Sequence, residues 1–249
     1  MPPVIAGVTY ISKKWGNNLG GVIASLPWVA GPIILFIALE QGADFAISAI
    51  PGVMVGIMAW LVFCMTYIVI GQKQNIFVSI MAGYMAYLLT GLALQKVTPL
   101  FSVNVWYVIT LLFILPCLKF FPTVKTERVK SRKILRFEIP LRMIMITLFV
   151  ILITYFADLL GPTWSGILTP FPVMTAVLAI FVNYTQGISQ VRSIFIGQLT
   201  GIFGFTTFLY LQAHLLPIMS IGNAFMIGIA VDIAITLIMR KVFTRIKLA

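Results

Sequence analysis

Two apolar stretches, "GGVIASLPWVAGPIILFIALEQG" at 20–42 and "SGILTPFPVMTAVLAIFVNYTQG" at 165–187, carry Pro and Gly where a plain hydrophobic helix would not. Pro27 and Pro32 in the first, and Pro170 and Pro172 in the second, each remove a backbone donor and clash with the preceding turn, so the helices kink or open there. An opening frees carbonyls and amides. Within a bilayer these are tolerated only where protein or a water-filled cavity receives them, so the four prolines are candidate substrate-binding positions. The alternative is a kink that only shapes packing. Gln41 and Gln186 each end such a stretch next to a Gly, where the amide can bond terminal carbonyls and Gly can adopt the left-handed cap conformation; a second role is contact with solute at a cavity mouth. Asn183, deeper in its helix, could hydrogen-bond across an interface.

Asp232, in "IGIAVDIAITLIM", is the carboxylate with apolar sequence on both sides. A charge there costs roughly 2.5 to 3.5 kcal/mol on insertion scales, so it must face the bundle interior, pair near Arg240, or stay protonated. It is the candidate for proton coupling, with Glu40, beside the first Gln-Gly turn, a second candidate or a solvated residue. Catalytic chemistry is not expected. A single His, no Cys/His cluster at metal-ligand spacing, no glycine-rich phosphate loop and no Ser-His-acid set argue against an enzyme, a metal site or a cofactor.

The elements that must hold these residues follow from composition: 61% of residues are apolar and 9% charged, and mean hydropathy is +1.08. Continuous apolar runs of about 20 residues predict an all-α integral membrane protein, because helices satisfy their own backbone hydrogen bonds in lipid. Spans are expected near 19–40, 46–70, 75–94, 100–120, 140–158, 164–184, 191–213 and 218–239, eight in all. Residues 1–12 are too few to cross and predict a short ninth helix, unless a longer natural start is missing. The opening residues lack the pattern of a secretory signal. Cys64 and Cys117 fall inside spans, where they are expected as small core residues without a disulfide.

Alternating loops place sixteen of the seventeen Lys and Arg residues on one side and Lys96 alone on the other. By the positive-inside rule the basic loop 121–139 and the C-terminus face the cytoplasm, and Glu40, Asp44, Asp158 and His214 face out. The net charge of +11 is thereby explained without nucleic acid. The same loop could attract anionic lipid head groups at about 1 kcal/mol per cation.

Shifted by 145 positions without gaps, the chain matches itself. Gly16, Gly21, Pro27, Phe36, Gln41, Gly42, Ser48, Gly52, Gly56, Ile57 and Phe63 meet identical residues at 161, 166, 172, 181, 186, 187, 193, 197, 201, 202 and 208. An odd number of crossings separates the copies, so they run in opposite directions. This predicts two inverted-topology repeats of about four helices, 1–98 and 139–249, joined by a linking span and basic loop at 99–138. Gly52 with Gly56, and Gly197 with Gly201, have the small-xxx-small spacing of close helix packing.

At this point the chain resembles small inverted-repeat secondary transporters, broadly the drug and metabolite transporters. It is also similar to a group of bacterial polytopic membrane proteins with a doubled Gly, Pro, Phe, Gln-Gly signature, which implies no particular substrate. The first resemblance is architectural, with a stunted first helix and no tenth span. Together these lead to an expected inner-membrane secondary transporter or exporter of a small organic or amphiphilic solute in a bacterial cytoplasmic membrane. The alternatives are a non-transporting membrane scaffold or accessory subunit, and a lipid flippase. Expected partners are the bilayer and a small-molecule solute, with room for a homo-oligomer.

Overall fold

The computed structural model describes residues 14, 16–124, 140, 144, 147–148, 151–152 and 155–245. The short helix expected over 1–12, most of the basic loop, most of the 140–158 span and the last residues of the C-terminus lie outside the described residues. Those described form helices and no strand: α1 (Asn17–Ala24), α2 (Ala30–Glu40), α3 (Ala43–Gly71), α4 (Ile76–Leu94), a 3-10 turn (Thr98–Leu100), α5 (Val103–Lys119), α6 (Ala157–Leu168), α7 (Val173–Gln186), α8 (Ile188–Leu215) and α9 (Ile221–Arg245).

Five stretches among the described residues are long and apolar enough to cross a membrane: α3, α4, Leu159–Gln186, α8 and α9. α2 and α5 are apolar but shorter. The expected spans at 19–40 and 164–184 are each interrupted, the first between α1 and α2 and the second between α6 and α7. Large apolar side chains are exposed along α4, α5 and α9, Phe77, Met85, Leu112, Met226 and Leu237 among them. A continuous apolar surface of this kind is the signature of a lipid-embedded protein.

Local sequence explains where the helices begin and end. The Asn75 side chain accepts the Val78 N–H at 2.9 Å and starts α4. Gly42 and Gly187 join α2 to α3 and α7 to α8, each with φ 93° and ψ near the extended value, 162° and 170°. Both lie in a region essentially reserved for glycine, more extended than the left-handed cap expected from sequence. Gly16 (φ 101°) and Gly161 (φ 70°) provide the other two positive-φ turns, before α1 and within α6.

α3 and α8 contact each other and are buried over most of their length, 72% and 83% of their apolar windows against 28% for α4 and for α9. Around this pair the packing recurs in exchanged form. α4 lies on α3 and α9 on α8; α1 packs on α8 and α6 on α3; α2 touches α9 and α7 touches α4. α5 rests against both central helices.

Close backbone approach makes the α1–α8 and α6–α3 contacts. A Cβ on Gly52 would strike the Thr163 carbonyl oxygen and the Ile167 nitrogen, and one on Gly197 the Asn18 carbonyl oxygen and the Val22 nitrogen. Thr163 and Ile167 stand 145 positions after Asn18 and Val22. With lipid as solvent, helix association depends on such contact rather than on hydrophobic burial, so glycine is required where backbone meets backbone.

Candidate functional site

The two interruptions have the same hydrogen-bond pattern. In the first, Trp28 N–H donates to Leu26 O at 2.7 Å and Gly31 N–H to Pro27 O at 2.9 Å; in the second, Val173 N–H donates to Phe171 O at 2.7 Å and Ala176 N–H to Pro172 O at 2.9 Å. Pro27 and Pro172 are therefore the central residues of three-residue turns. The φ of −76° and ψ of 48° at Pro172 are near those of an inverse γ-turn, for which proline's fixed φ is suited. At each break a side chain donates to a carbonyl one turn upstream, which at Val22 O adds to a long backbone bond from Ser25 N–H at 3.3 Å. Ser25 Oγ donates to Val22 O, and Tyr87 Oη donates to the corresponding Ile167 O.

Between the breaks lies a cavity of about 90 Å³. Its walls pair positions 145 apart: Ala24 with Thr169, Ser25 with Pro170, Leu26 with Phe171, Val29 with Met174, Ala30 with Thr175, Ile57 with Ile202 and Trp60 with Phe205. Pro27 and Gln198 complete it, and no charged side chain lines it. The polarity is unequal, with Ser25 and Trp60 of the first half paired with Pro170 and Phe205 of the second. Thr169, Thr175 and Gln198 stand where the first half carries Ala24, Ala30 and Val53. Trp60 Nε1 and Gln198 Nε2 both donate to Thr175 Oγ1, each at 3.1 Å. Gln198 is 3% exposed, and its Oε1 has no partner.

A second, apolar cavity of about 220 Å³ opens between α2 and α9, lined by Leu26, Pro27, Trp28, Gly31, Pro32 and Leu35 with Phe225, Ile229 and Ile233. Ile229 and Ile233 belong to the exposed apolar face of α9, so this groove is lateral. The corresponding seam between α4 and α7 is closed by rings. Tyr84 stacks on Phe171 at 5.1 Å, and Tyr87 meets Phe171 edge-on at 5.1 Å.

Of the residues singled out from sequence, Pro27 and Pro170 line the central cavity, and Pro32 lines only the lateral groove. Pro172 is buried at the head of α7 and lines neither. Gln41 and Gln186 lie at the far ends of α2 and α7, eleven and fourteen residues long; at 1.5 Å per residue this is about 15 Å or more from the breaks. Neither lines the cavity. Asn183 is committed elsewhere, its Nδ2 donating to Tyr67 Oη at 3.1 Å. Glu40 is exposed at the end of α2.

Asp232 is fully buried on α9, with Thr236 Oγ1 donating to its Oδ1 at 3.4 Å and no partner on Oδ2. Its carboxyl packs on Gly204 of α8, where an added Cβ would collide with Oδ1. Thr236 also meets Gly201, the glycine against which Ser25 of the cavity wall packs. The carboxyl thus stands one helical turn from the cavity's edge.

Sequence reasoning passed over Trp60, Thr175 and Gln198. The available signal was a difference between the halves, Gln198 against Val53, beside the packing glycine Gly197. No protein family, curated protein or solved structure matches this chain.

Proposed function

We propose that this chain is a small inner-membrane secondary transporter in which two inverted repeats alternate access to the cavity between their broken helices. The observation that carries the reading is the cavity's lining, seven pairs of positions each 145 apart at the meeting point of two proline-centred breaks. Further support comes from the exchanged packing of α1 on α8 and α6 on α3 and from four positive-φ glycines that fall into two pairs at the same offset. Such an arrangement lets one half adopt the conformation of the other, which exchanges the side on which the site is open.

The solute is a neutral, weakly polar or amphiphilic organic molecule, since no charge lines the site. Asp232, desolvated and beside the cavity wall, is the group through which protons couple to movement. The basic face of the molecule is cytoplasmic. A second reading, a lipid flippase, is favoured by one feature, the groove that opens laterally between α2 and α9. A scaffold calls for a continuous core at this level, and the cavity weighs against it.

The test is a thermal-shift screen of purified protein against neutral solutes, followed by flux into proteoliposomes. A solute at a hundredfold its Kd stabilises the protein by about 2.7 kcal/mol. The shift and the flux are expected to disappear in Ala30→Leu, which fills the cavity, and the flux is expected to lose its pH dependence in Asp232→Asn. A shift that Ala30→Leu leaves intact places binding elsewhere. No shift across a broad panel returns the weight to a scaffold.

A further inference from the structure

A buried acceptor without a donor is rare in folded proteins and calls for an account. Gln198 Oε1 is such an acceptor. Its own amide nitrogen is used on Thr175 Oγ1, an oxygen already taken by Trp60 Nε1, so this trio fixes the Gln198 side chain while leaving its oxygen free. Gln198 lines the cavity, and nothing charged competes with it there. At the corresponding place in the other half stands Val53, which offers no polar atom. The Ser25 and Thr169 hydroxyls also face the cavity but are held to backbone carbonyls, Val22 O and Ser165 O. Gln198 Oε1 is thus the acceptor of the lining that no donor meets, beside an apolar surface supplied by Leu26, Phe171, Ile202 and Phe205.

Size and access narrow the class. The cavity, about 90 Å³, is smaller than an engineered apolar cavity of about 150 Å³ that holds benzene. The lateral groove of about 220 Å³ shares Leu26 and Pro27 with it as a common wall. A hydroxyl-sized head fits the cavity, and an aliphatic body fits the groove, whose lining is almost wholly apolar and whose outer edge, at Ile229 and Ile233, is exposed on α9.

We infer that Gln198, held by Thr175 and Trp60, is the recognition point for a neutral amphiphile that donates one hydrogen bond from a hydroxyl head and reaches the cavity sideways from lipid past the Leu26–Pro27 turn. This rests on the reading of the cavity as the solute site and adds to it the ligand's class, its orientation and its route. Thr175 and Trp60 act as positioning residues, setting the rotamer of Gln198 rather than meeting the ligand's hydroxyl themselves.

The probe is a diazirine-bearing octanol, photolysed with the full-length protein in liposomes and mapped by mass spectrometry, with 1-octanol and its methyl ether as competitors. Saturable labelling is expected in the cavity and groove, competed by 1-octanol at least about tenfold better than by the ether, which cannot donate. Gln198→Met keeps the volume and removes the acceptor, and is expected to lower cavity labelling by a similar factor; the ether comparison on the unmodified protein needs no variant to fold. Equal competition by the ether, or labelling unchanged in Gln198→Met, overturns the role of Gln198 and leaves the cavity as a solute site. Labelling confined to residues outside the cavity and groove overturns both.

Discussion

Glycine carries more of this molecule than any catalytic residue type. At Gly52 and Gly197 a single added methyl would meet the backbone of the facing helix, which cannot move aside as a flexible side chain can. Gly222 has nothing within 4 Å of an added Cβ. Gly197→Ala is therefore expected to destabilise the protein by about 1–3 kcal/mol through separation of α1 from α8. Gly222→Ala is expected to leave stability unchanged or raise it by up to about 1 kcal/mol through the better helix former. Thermal melts of the two variants in one detergent check the contrast, and similar losses in both would show that packing at Gly197 is not the cause. Gly197 was legible in the sequence because its spacing to Gly201 has a recognised physical meaning. Gln198 beside it was not, since one polar residue in an apolar helix reads the same whether its amide is satisfied or orphaned.

The elements form two seams that differ in how they are closed. Between α4 and α7, Tyr84 lies flat on Phe171 with an interplanar angle of 8°. Between α2 and α9 the residues at the corresponding positions are Ile229 and Leu26, and the seam is an open groove. Stacked aromatics are worth about 0.5–1.5 kcal/mol beyond their burial, enough to bias which seam is closed without locking it. Tyr84→Ala is expected to loosen the α4–α7 seam. With Cys64 and Cys117 replaced by Ser, a cysteine placed at Val177, buried on α7, should then react several-fold faster with a lipid-soluble maleimide. An unchanged rate would mean that other contacts hold the seam. The positions of the helix breaks were foreseeable, because Pro27 and Pro172 each remove a backbone donor, but an opening rather than a kink was not, since Pro51 sits inside the unbroken α3. The unequal closure was not, since it depends on rings that are distant in sequence meeting across helices.

At the scale of the whole molecule, the exposed apolar surface of α4, α5 and α9 surrounds a buried α3–α8 pair, and polar chemistry is confined to a few internal points. The proposed topology places Glu40 and Lys96 on the outside and Lys73 and Lys241 in the cytoplasm. Single cysteines at these four positions, probed in intact cells with an impermeant maleimide, are expected to label at 40 and 96 and to be protected at 73 and 241 until the cells are lysed. Labelling of 73 together with 40 would contradict a crossing by α3, the helix of 29 residues that lies between those positions.

Composition and the length of the apolar runs alone determined that this is a helical chain with segments long and apolar enough to cross a membrane, because a bilayer leaves few other ways to satisfy the backbone. The same sequence matches itself at an offset of 145 through Gly, Pro and Gln, residue types whose backbone demands leave little freedom of replacement. Only tertiary structure decided which polar atoms converge. Thr175, Gln198 and Trp60 come from three helices, and whether their hydrogen bonds close on one another or leave an acceptor over depends on distances near 3 Å that no linear spacing encodes. It likewise decided that Asn183, Gln41 and Gln186 stand apart from the cavity, because helix length and partner choice, rather than residue type, set how far a side chain lies from the break.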